Sequence, residues 1–378
     1  MAGHKVELPC WPSRLVLGNR NVLALGAIVS LCYIPGWTGA AIATQYAVLS
    51  AVLPFTLWRQ GTLTPFHWIG LVLVAYAAAS LTWNTDVHGG VYGLWLICIM
   101  ALTFWLGSTL PSLRQAYAGL AVGSIVSSII AMVQAFGYQP LPINNIGGIP
   151  GIYFNTVAQG GVLALLFVAL LTERMFYLAL PLIPGILLSQ SRGAGLALMI
   201  GVTALFVRRT WLLVPVIMLG AGAMWFTSPS DVVRLKIWTI AWNELSFFGN
   251  GVGSFASQIY DDNGKVLYPE FVHNDMLQLA YEFGIAALLP ATIFAFALSR
   301  TGDREWPVLM AFITMGFYSF PLWIPVTSFI GTLVAGRIVR SWHMDGRFRE
   351  YCGYVALSRR WAVSSQTFSL VSANKGSG

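Results

Sequence analysis

The chain has 378 residues, of which 57% are hydrophobic and only 9% are charged. Because soluble domains carry about 25% charged residues, this composition excludes a water-exposed surface over most of the protein and indicates that the chain faces lipid. The net charge of +7 would fit a nucleic-acid-binding protein, but the positions of the basic residues, described below, argue against that class.

Long apolar runs predict the architecture. A helix needs about 20 apolar residues to cross a bilayer, and the backbone polar groups of a spanning segment must be satisfied internally. The sequence therefore predicts an all-α, polytopic integral membrane protein with about twelve transmembrane helices. The predicted spans are 21–36, 38–58, 67–83, 90–109, 114–136, 157–172, 175–190, 193–208, 211–227, 275–299, 306–320 and 322–340.

These spans divide the chain into five predicted regions. A cytoplasmic N-terminus covers residues 1–20, and the first span is expected to remain as an uncleaved anchor. Nine transmembrane helices occupy 21–227, a periplasmic loop with short helices occupies 228–274, three further helices occupy 275–340, and a basic cytoplasmic tail occupies 341–378. The four cysteines lie in the terminal segments or in apolar runs, so neither a disulfide nor a thiolate metal site is expected.

The basic residues predict the orientation, because cytoplasmic loops carry an excess of Lys and Arg. With both termini in the cytoplasm, seventeen of the 21 Lys and Arg residues fall on that side, where they would contact anionic lipids. This location explains the positive charge without a nucleic-acid partner. The predicted outer loops at 84–89, 137–156 and 321–325 contain no Lys or Arg. The exceptions on the outer side are Arg192, Arg234, Lys236 and Lys265, and an anionic ligand there would explain them.

Residues 228–274 form the one sizeable predicted loop. Seven of the 14 acidic residues lie between 228 and 283, together with His273 and three of the four outer cations. A long loop in a compact protein is usually functional. We interpret Asp261-Asp262 as a solvated turn, because Asn263-Gly264 follows it, and no metal site is predicted.

Arg192 lies at an outer junction between two predicted spans, within Ser191-Arg192-Gly193. Its side chain could extend to the lipid headgroups. Alternatively, it could bind an anion together with the N–H groups of a helix that begins at Gly193. Ionisable residues at membrane depth are usually functional, which favours the anion-binding interpretation.

Arg234 and Trp238 are four residues apart, so they share one face of a predicted helix, and Trp242 continues the stripe. One interpretation is an interfacial amphipathic helix with an aromatic anchor. The other is that Arg234 offers a planar, bidentate donor pair to a phosphate. The two interpretations are compatible.

His273-Asn274-Asp275 begins the tenth predicted span. Asn274 and Asp275 are good helix N-cap candidates, and His273 is suited to proton transfer near neutral pH. Glu282 falls inside the span, where an unpaired carboxylate is costly, so we expect it to pair with a cation. The run Gly249–Phe255 is predicted to form a tight, irregular turn and not a nucleotide-binding loop, because no strand precedes it.

Several of these motifs together resemble the O-antigen ligase and O-antigen polymerase superfamily. They are Ser191-Arg-Gly-Ala-Gly195, Arg234 to Trp238, the Gly249–Phe255 turn and His273-Asn-Asp-Met-Leu-Gln-Leu-Ala-Tyr-Glu282-Phe-Gly284. Gly151-Ile-Tyr-Phe-Asn155 is also similar to the family's Gly-x-Phe-x-Asn-x-Asn element, with Val157 in place of the second Asn.

The resemblance implies a metal-independent glycosyltransferase of the GT-C class that needs no cofactor. Such an enzyme transfers a glycan from undecaprenyl diphosphate to an acceptor at the periplasmic face of the bacterial inner membrane. The motif positions imply that Arg192 and Arg234 bind the donor diphosphate and that His273 activates the acceptor hydroxyl. The residues expected to support them are Lys236, Asn155, Asn274, Asp275 and Glu282.

Three functions remain open from the sequence. An O-antigen ligase, which we prefer because the outer loop is compact, would use lipid A–core oligosaccharide as the acceptor. An O-antigen polymerase would use a second lipid-linked glycan. In a different class, a transporter or flippase for lipid-linked sugars would also need cations near the membrane, but it usually has pseudo-symmetric halves, and the two halves of this chain look unlike.

Overall fold

The structure is a computed structural model. The structure describes residues 19–31, 49–50, 65–140, 149–153, 155–207, 229–260, 266–267, 269, 271–299 and 303–344. Several predictions fall outside these residues: the span 211–227, nearly all of the span 38–58, most of both terminal regions, the Asp261-Asp262 turn and Lys265.

The described part of the chain is all-helical apart from one pair of two-residue strands, which confirms the predicted all-α class. The strands β1 (Ile259–Tyr260) and β2 (Val266–Leu267) pair antiparallel in the loop region, with Ile259 opposite Leu267. The helices are α1 (Asn19–Leu31), α2 (Pro65–Ser80), α3 (Val87–Thr109), α4 (Arg114–Ala135), α5 (Thr156–Thr172), α6 (Phe176–Ala179), α7 (Ile183–Ser189), α8 (Arg192–Phe206), α9 (Pro229–Asn243), α10 (Asp275–Phe283), α11 (Ile285–Ser299), α12 (Trp306–Gly316) and α13 (Pro325–Met344).

Two of the described helices are long and apolar enough to cross a membrane. They are α3, with 23 residues, and α4, with 22 residues. Other apolar helices, including α5, α8 and α12, have 10–17 residues, and α5 lies at the short end of the range for a span. A count of about twelve spans therefore stays a prediction.

Two predicted spans are interrupted in the structure. The span 175–190 consists of α6, a 3-10 turn over Leu180–Leu182 and α7, because Pro181 and Pro184 lack the backbone N–H that a continuous helix requires. The span 275–299 is divided at Gly284, whose φ of +89° is left-handed and ends α10 before α11 begins. Residues Asp275–Phe283 are thus a separate helix of nine residues.

Glycines allow the helices to pack with their backbones in close contact. A Cβ atom added to Gly119 of α4 would lie 2.1 Å from the Leu23 carbonyl oxygen of α1, and one added to Gly107 of α3 would lie 2.1 Å from the Leu333 carbonyl oxygen of α13. Small residues at such contacts are typical of helices that associate in a membrane, where close packing replaces the hydrophobic effect.

One end of the helix bundle brings together loops that the span prediction assigns to the cytoplasm. Arg304 forms an ion pair with Glu173 at 2.6 Å and donates a hydrogen bond to Ser112 at 3.4 Å. The neighbouring Glu305 is buried and accepts a hydrogen bond from Tyr117 at 2.8 Å. These contacts connect the segments before α4, after α5 and before α12.

The opposite end brings together loops that the span prediction assigns to the periplasm. The side-chain amide of Asn84 donates to the Val252 carbonyl at 2.7 Å, and that of Asn274 donates to the Phe317 carbonyl at 3.2 Å. The side of the membrane on which each group of loops lies stays a prediction from the positions of the basic residues.

We expect Gly119→Ala to destabilise the protein by about 1–3 kcal/mol, because the new methyl group overlaps the α1 backbone and forces the two helices apart. Thermal unfolding in detergent should show a lower Tm. Gly195→Ala in α8 is the matched control, because its Cβ would meet no described atom within 4 Å and alanine favours a helix. An unchanged Tm in Gly119→Ala would contradict the close packing of α1 on α4.

Candidate active site

The backbone just before His273 is held by two side chains from different helices. The indole Nε1 of Trp238 in α9 donates a hydrogen bond to the Val272 carbonyl at 2.9 Å. The Val272 N–H donates to the side-chain oxygen of Gln278 in α10 at 2.6 Å. Val272 itself is fully buried in a small apolar cluster with Ile237 and Tyr281. Both backbone polar groups of the residue before His273 are therefore satisfied and fixed.

His273 occupies an uncommon backbone conformation, with a φ of +59°. Its half-buried ring packs edge-on against Phe320, with ring centroids 4.7 Å apart, and Phe320 is in turn stacked on Phe271 at 5.0 Å. A non-glycine residue in the left-handed region is strained and persists only when its surroundings hold it. The hydrogen bonds of Val272 and the aromatic stack provide that support.

Burial and, to a smaller extent, the positive charge of Arg234 together lower the pKa of His273 to about 4. Both effects disfavour the imidazolium, the first by desolvation and the second by repulsion. The ring is consequently neutral at pH 7, so one of its nitrogens has a lone pair that can accept a proton. The charge of Arg234 thus acts on His273 in the structure.

Arg234 and Trp238 share one face of α9, as their spacing predicts. Trp238 contacts the carbonyl of Val272, and the charge of Arg234, one turn earlier, acts on His273. The half-buried Arg234 side chain is therefore close enough to His273 for its charge to act on the imidazole. Trp238, which the sequence predicts as an interfacial aromatic anchor, is a hydrogen-bond donor in the structure and positions the segment before His273.

Arg192 is the first residue of α8 and has an exposed side chain. Ser191 caps this helix by accepting the Ala194 N–H at 3.4 Å. The next residue, Gly193, lies beside Tyr318: a Cβ atom added to the glycine would lie 3.5 Å from the Cβ of Tyr318. Since Tyr318 is two residues from Phe320, which packs on His273, the N-terminus of α8 borders the same segment as the histidine.

Three of the predicted supporting residues have structural roles. Asn155 caps α5 and accepts the Ala158 N–H at 2.7 Å. Asn274 caps α10 by accepting the Leu277 N–H at 3.0 Å, which confirms the predicted N-cap. Lys236 donates to the Tyr260 carbonyl in β1 at 3.1 Å, so one of its hydrogen bonds holds the loop and not a ligand.

Asp275 and Glu282 are buried carboxylates at the two ends of α10. Asp275 accepts the Leu322 N–H at 3.1 Å. The predicted pairing of Glu282 with a cation is wrong for the described residues: its Oε1 accepts a hydrogen bond from the side-chain amide of Gln278. Gln278 is one helical turn earlier, so a neutral donor meets the carboxylate where a cation was expected.

The sequence interpretation missed Gln278 and Phe320. Gln278 is a buried polar residue inside a run that otherwise reads as apolar, and its position four residues before Glu282 is the signal that could have identified it. Phe320 had no local signal, because its contact with His273 joins residues far apart in the sequence. Within the described residues, no group of three or more His, Cys, Asp or Glu side chains is placed to hold a metal ion.

The Gly249–Phe255 run is a tight turn, as predicted, and it forms one wall beside the site. Gly249, Gly251 and Gly253 all have left-handed φ values, between +69° and +102°. The Asn250 N–H donates to the Tyr281 carbonyl at 2.9 Å, which ties the turn to the last turn of α10.

No protein-family model matches this chain, and a search of curated proteins finds no match.

We expect Arg234→Gln to raise the pKa of His273 above about 4, because the repulsion of the imidazolium is removed, while burial keeps the value below 6.5. Titration of isotope-labelled histidine by NMR measures this shift. Lys236→Gln is the control, since it removes a charge from the same helix and that charge is bound at the Tyr260 carbonyl. Equal shifts in the two variants would show that net charge, and not the position of Arg234, controls the histidine.

Proposed function

We propose that this chain is a polytopic inner-membrane glycosyltransferase that transfers a glycan from undecaprenyl diphosphate to an acceptor hydroxyl at the periplasmic face. The observation that carries the proposal is a histidine held neutral beside an arginine, His273 and Arg234, where α9 and α10 meet. The preferred acceptor is lipid A–core oligosaccharide, which makes the protein an O-antigen ligase. The motif resemblance supports the same reaction.

The membrane part of the proposal is supported by composition and by the arrangement of loops. Only 9% of the residues are charged, and α3 and α4 are each long and apolar enough to cross a bilayer. The loops containing Arg304 and Glu173 meet at one end of the bundle, while those containing Asn84 and Val252 meet at the other. Loops that meet at two opposite ends are what alternating spans would produce, and the assignment of the first end to the cytoplasm rests on the positive-inside rule.

The residues suit the chemistry of glycan transfer. In the proposed reaction, a ring nitrogen of His273 accepts the proton of the acceptor hydroxyl while the hydroxyl oxygen attacks the anomeric carbon of the donor. The bond from that carbon to the diphosphate oxygen breaks on the opposite face, which inverts the configuration. The diphosphate leaves with the bonding electrons, and Arg192 and Arg234 stabilise its negative charge through charge-assisted hydrogen bonds.

Donor binding would also make His273 a better base. A pKa of about 4 makes a weak base at neutral pH, because general bases work best when their pKa lies near the operating pH. A bound diphosphate would neutralise Arg234 and add negative charge beside the imidazole, and both changes raise its pKa. Proton transfer would then be efficient only when the donor is in place.

We expect His273→Ala to reduce transfer by about 10²–10⁴-fold, the usual contribution of a general base, without loss of donor binding. Arg234→Gln should weaken donor binding and transfer together. The assay measures transfer from lipid-linked glycan to lipid A–core in proteoliposomes. Trp242→Ala, which alters an exposed aromatic on the same helix as Arg234, is the control and should stay active. Full activity of a normally expressed His273→Ala variant would exclude the base role.

The pH dependence should differ between the free and donor-bound protein. Protonated His273 cannot accept a proton, so activity falls as pH drops through its pKa. In kcat/KM, which reports the free protein, the acid limb should lie near pH 4. In kcat, which reports the complex, the limb should lie at higher pH. Identical acid limbs near pH 6.5 in both parameters would contradict the perturbed histidine.

The acceptor decides between the ligase and the polymerase, since the motifs are common to both. In a strain lacking the gene, unmodified core with accumulated lipid-linked polymer indicates a ligase, and core that carries a single repeat unit indicates a polymerase. A transporter of lipid-linked sugars is the alternative class. Export of labelled lipid-linked sugar with no change in its covalent structure would favour that alternative.

A further inference from the structure

We propose that a second site, an open cleft beside the Gly249–Phe255 turn, binds uncharged sugar residues and acts as the acceptor glycan subsite. The cleft has a volume of about 610 Å³ and is separate from Arg192, Arg234 and His273. Its described lining residues are Trp83, Thr85, Asp86, Glu244, Gly249, Asn250, Ser254, Ala256 and Tyr281. The proposal that the cleft binds the acceptor glycan rests on the proposed transferase function. The proposal that it binds sugars is independent of that function.

The cleft presents an aromatic surface suited to a sugar ring. Trp83 is 45% exposed, and Tyr76 supports it by edge-on packing with ring centroids 5.9 Å apart. One face of a hexose carries several C–H bonds, which are weakly positive and pack against the negative face of an aromatic ring. A large exposed indole at the mouth of a cleft therefore favours a carbohydrate over a fully polar ion.

Hydrogen-bonding groups surround this aromatic surface at fixed positions. The Glu244 carboxylate accepts the Tyr281 hydroxyl at 3.1 Å, and the Asn250 amide donates to the Glu244 backbone carbonyl at 2.9 Å. The Asp86 carboxylate caps α3 by accepting the Gly89 N–H at 3.0 Å. A carboxylate has about four acceptor positions, so each retains capacity for sugar hydroxyl groups, which are donors.

Close backbone contacts make the cleft rigid. A Cβ added to Gly253 would lie 2.0 Å from the Gly89 carbonyl oxygen, so the turn packs directly on the first turn of α3. The Val252 N–H donates to Ser80 at 3.2 Å, and its carbonyl accepts from Asn84. A preformed cleft binds a flexible glycan with less loss of entropy than one that must order on binding.

The charge of the cleft determines which sugars it accepts. Asp86 and Glu244 line it, and its described lining residues include no Lys, Arg or His. A phosphorylated or carboxylated sugar would place like charges together, which costs binding free energy and so gives specificity. The ligand class is therefore a neutral hexose or an N-acetylated amino sugar.

The cleft lies at a suitable distance from His273. Tyr281 is six residues after Asp275, the first residue of α10, which corresponds to roughly 9 Å along the helix at 1.5 Å per residue. His273 lies two residues before Asp275. A short oligosaccharide spans this distance. An acceptor glycan bound in the cleft would thus present a hydroxyl of a neighbouring sugar to the histidine.

Saturation-transfer NMR on the detergent-solubilised chain tests the binding, with methyl glucoside, methyl N-acetylglucosaminide and glucose 6-phosphate as probes. We expect both neutral glycosides to bind, and glucose 6-phosphate to bind at least tenfold more weakly at the same ionic strength. Trp83→Ala should weaken binding of the neutral glycosides at least tenfold, whereas Trp83→Phe should retain most of it. Glu244→Gln should reduce the discrimination against the phosphate.

Trp242→Ala is the matched control, because Trp242 is 67% exposed and does not line the cleft. Unchanged binding in Trp83→Ala, an equal loss in Trp242→Ala, or equal affinity for glucose 6-phosphate would each overturn the sugar site. In the transfer assay, Trp83→Ala should raise the acceptor KM with kcat and donor KM retained, and an unchanged acceptor KM would overturn the acceptor assignment.

The failure of the transferase proposal is distinguishable from the failure of this one. Arg234→Gln and His273→Ala should abolish or reduce transfer while the neutral glycosides still bind. If the unaltered protein transfers no glycan but binds these probes in a Trp83-dependent way, the transferase proposal and the acceptor assignment fail, and the sugar site stands.

Discussion

The two hydrogen bonds on Val272 fix the geometry on which the candidate active site depends. Trp238 binds the carbonyl from α9, and Gln278 binds the N–H from α10. Without them, the left-handed conformation of His273 would relax to a more populated region of backbone space. Because Arg234 is one turn before Trp238 on the same helix face, the bond that positions the histidine also determines where the arginine charge acts.

The helix α10 is held at both ends by polar contacts with other elements. At its first turn, Asp275 accepts the Leu322 N–H and Asn274 donates to the Phe317 carbonyl. At its last turn, the backbone carbonyl of Glu282 accepts the Tyr76 hydroxyl at 3.1 Å. A buried carboxylate is destabilising unless it is hydrogen-bonded. Asp275 accepts a bond from the Leu322 N–H and Glu282 accepts one from the Gln278 amide, so these bonds offset part of the cost of burying the two carboxylates.

Local sequence patterns predicted the features that depend on neighbouring residues. The four-residue spacing of Arg234 and Trp238, the glycine turn and the Asn274 cap all involve contacts or conformations within a few residues. The break at Gly284 was missed, because the apolar composition continues through it and only the backbone conformation reveals it. The cleft was also missed, since its lining brings Trp83 and Asp86 together with Glu244 and Asn250, which are far from them in the sequence.

The distribution of charge around α10 is an argument for two substrate sites at the same end of the bundle. The segment before its first residue meets Arg234, whereas its last turn contributes Tyr281 to a cleft lined by Asp86 and Glu244. Under the proposed function, an anionic lipid diphosphate would be attracted to the first region and repelled by the second, whereas a neutral glycan would not be repelled by the cleft. In the proposed reaction, a helix of nine residues would therefore keep donor and acceptor in their own sites, with His273 between the diphosphate and the incoming hydroxyl.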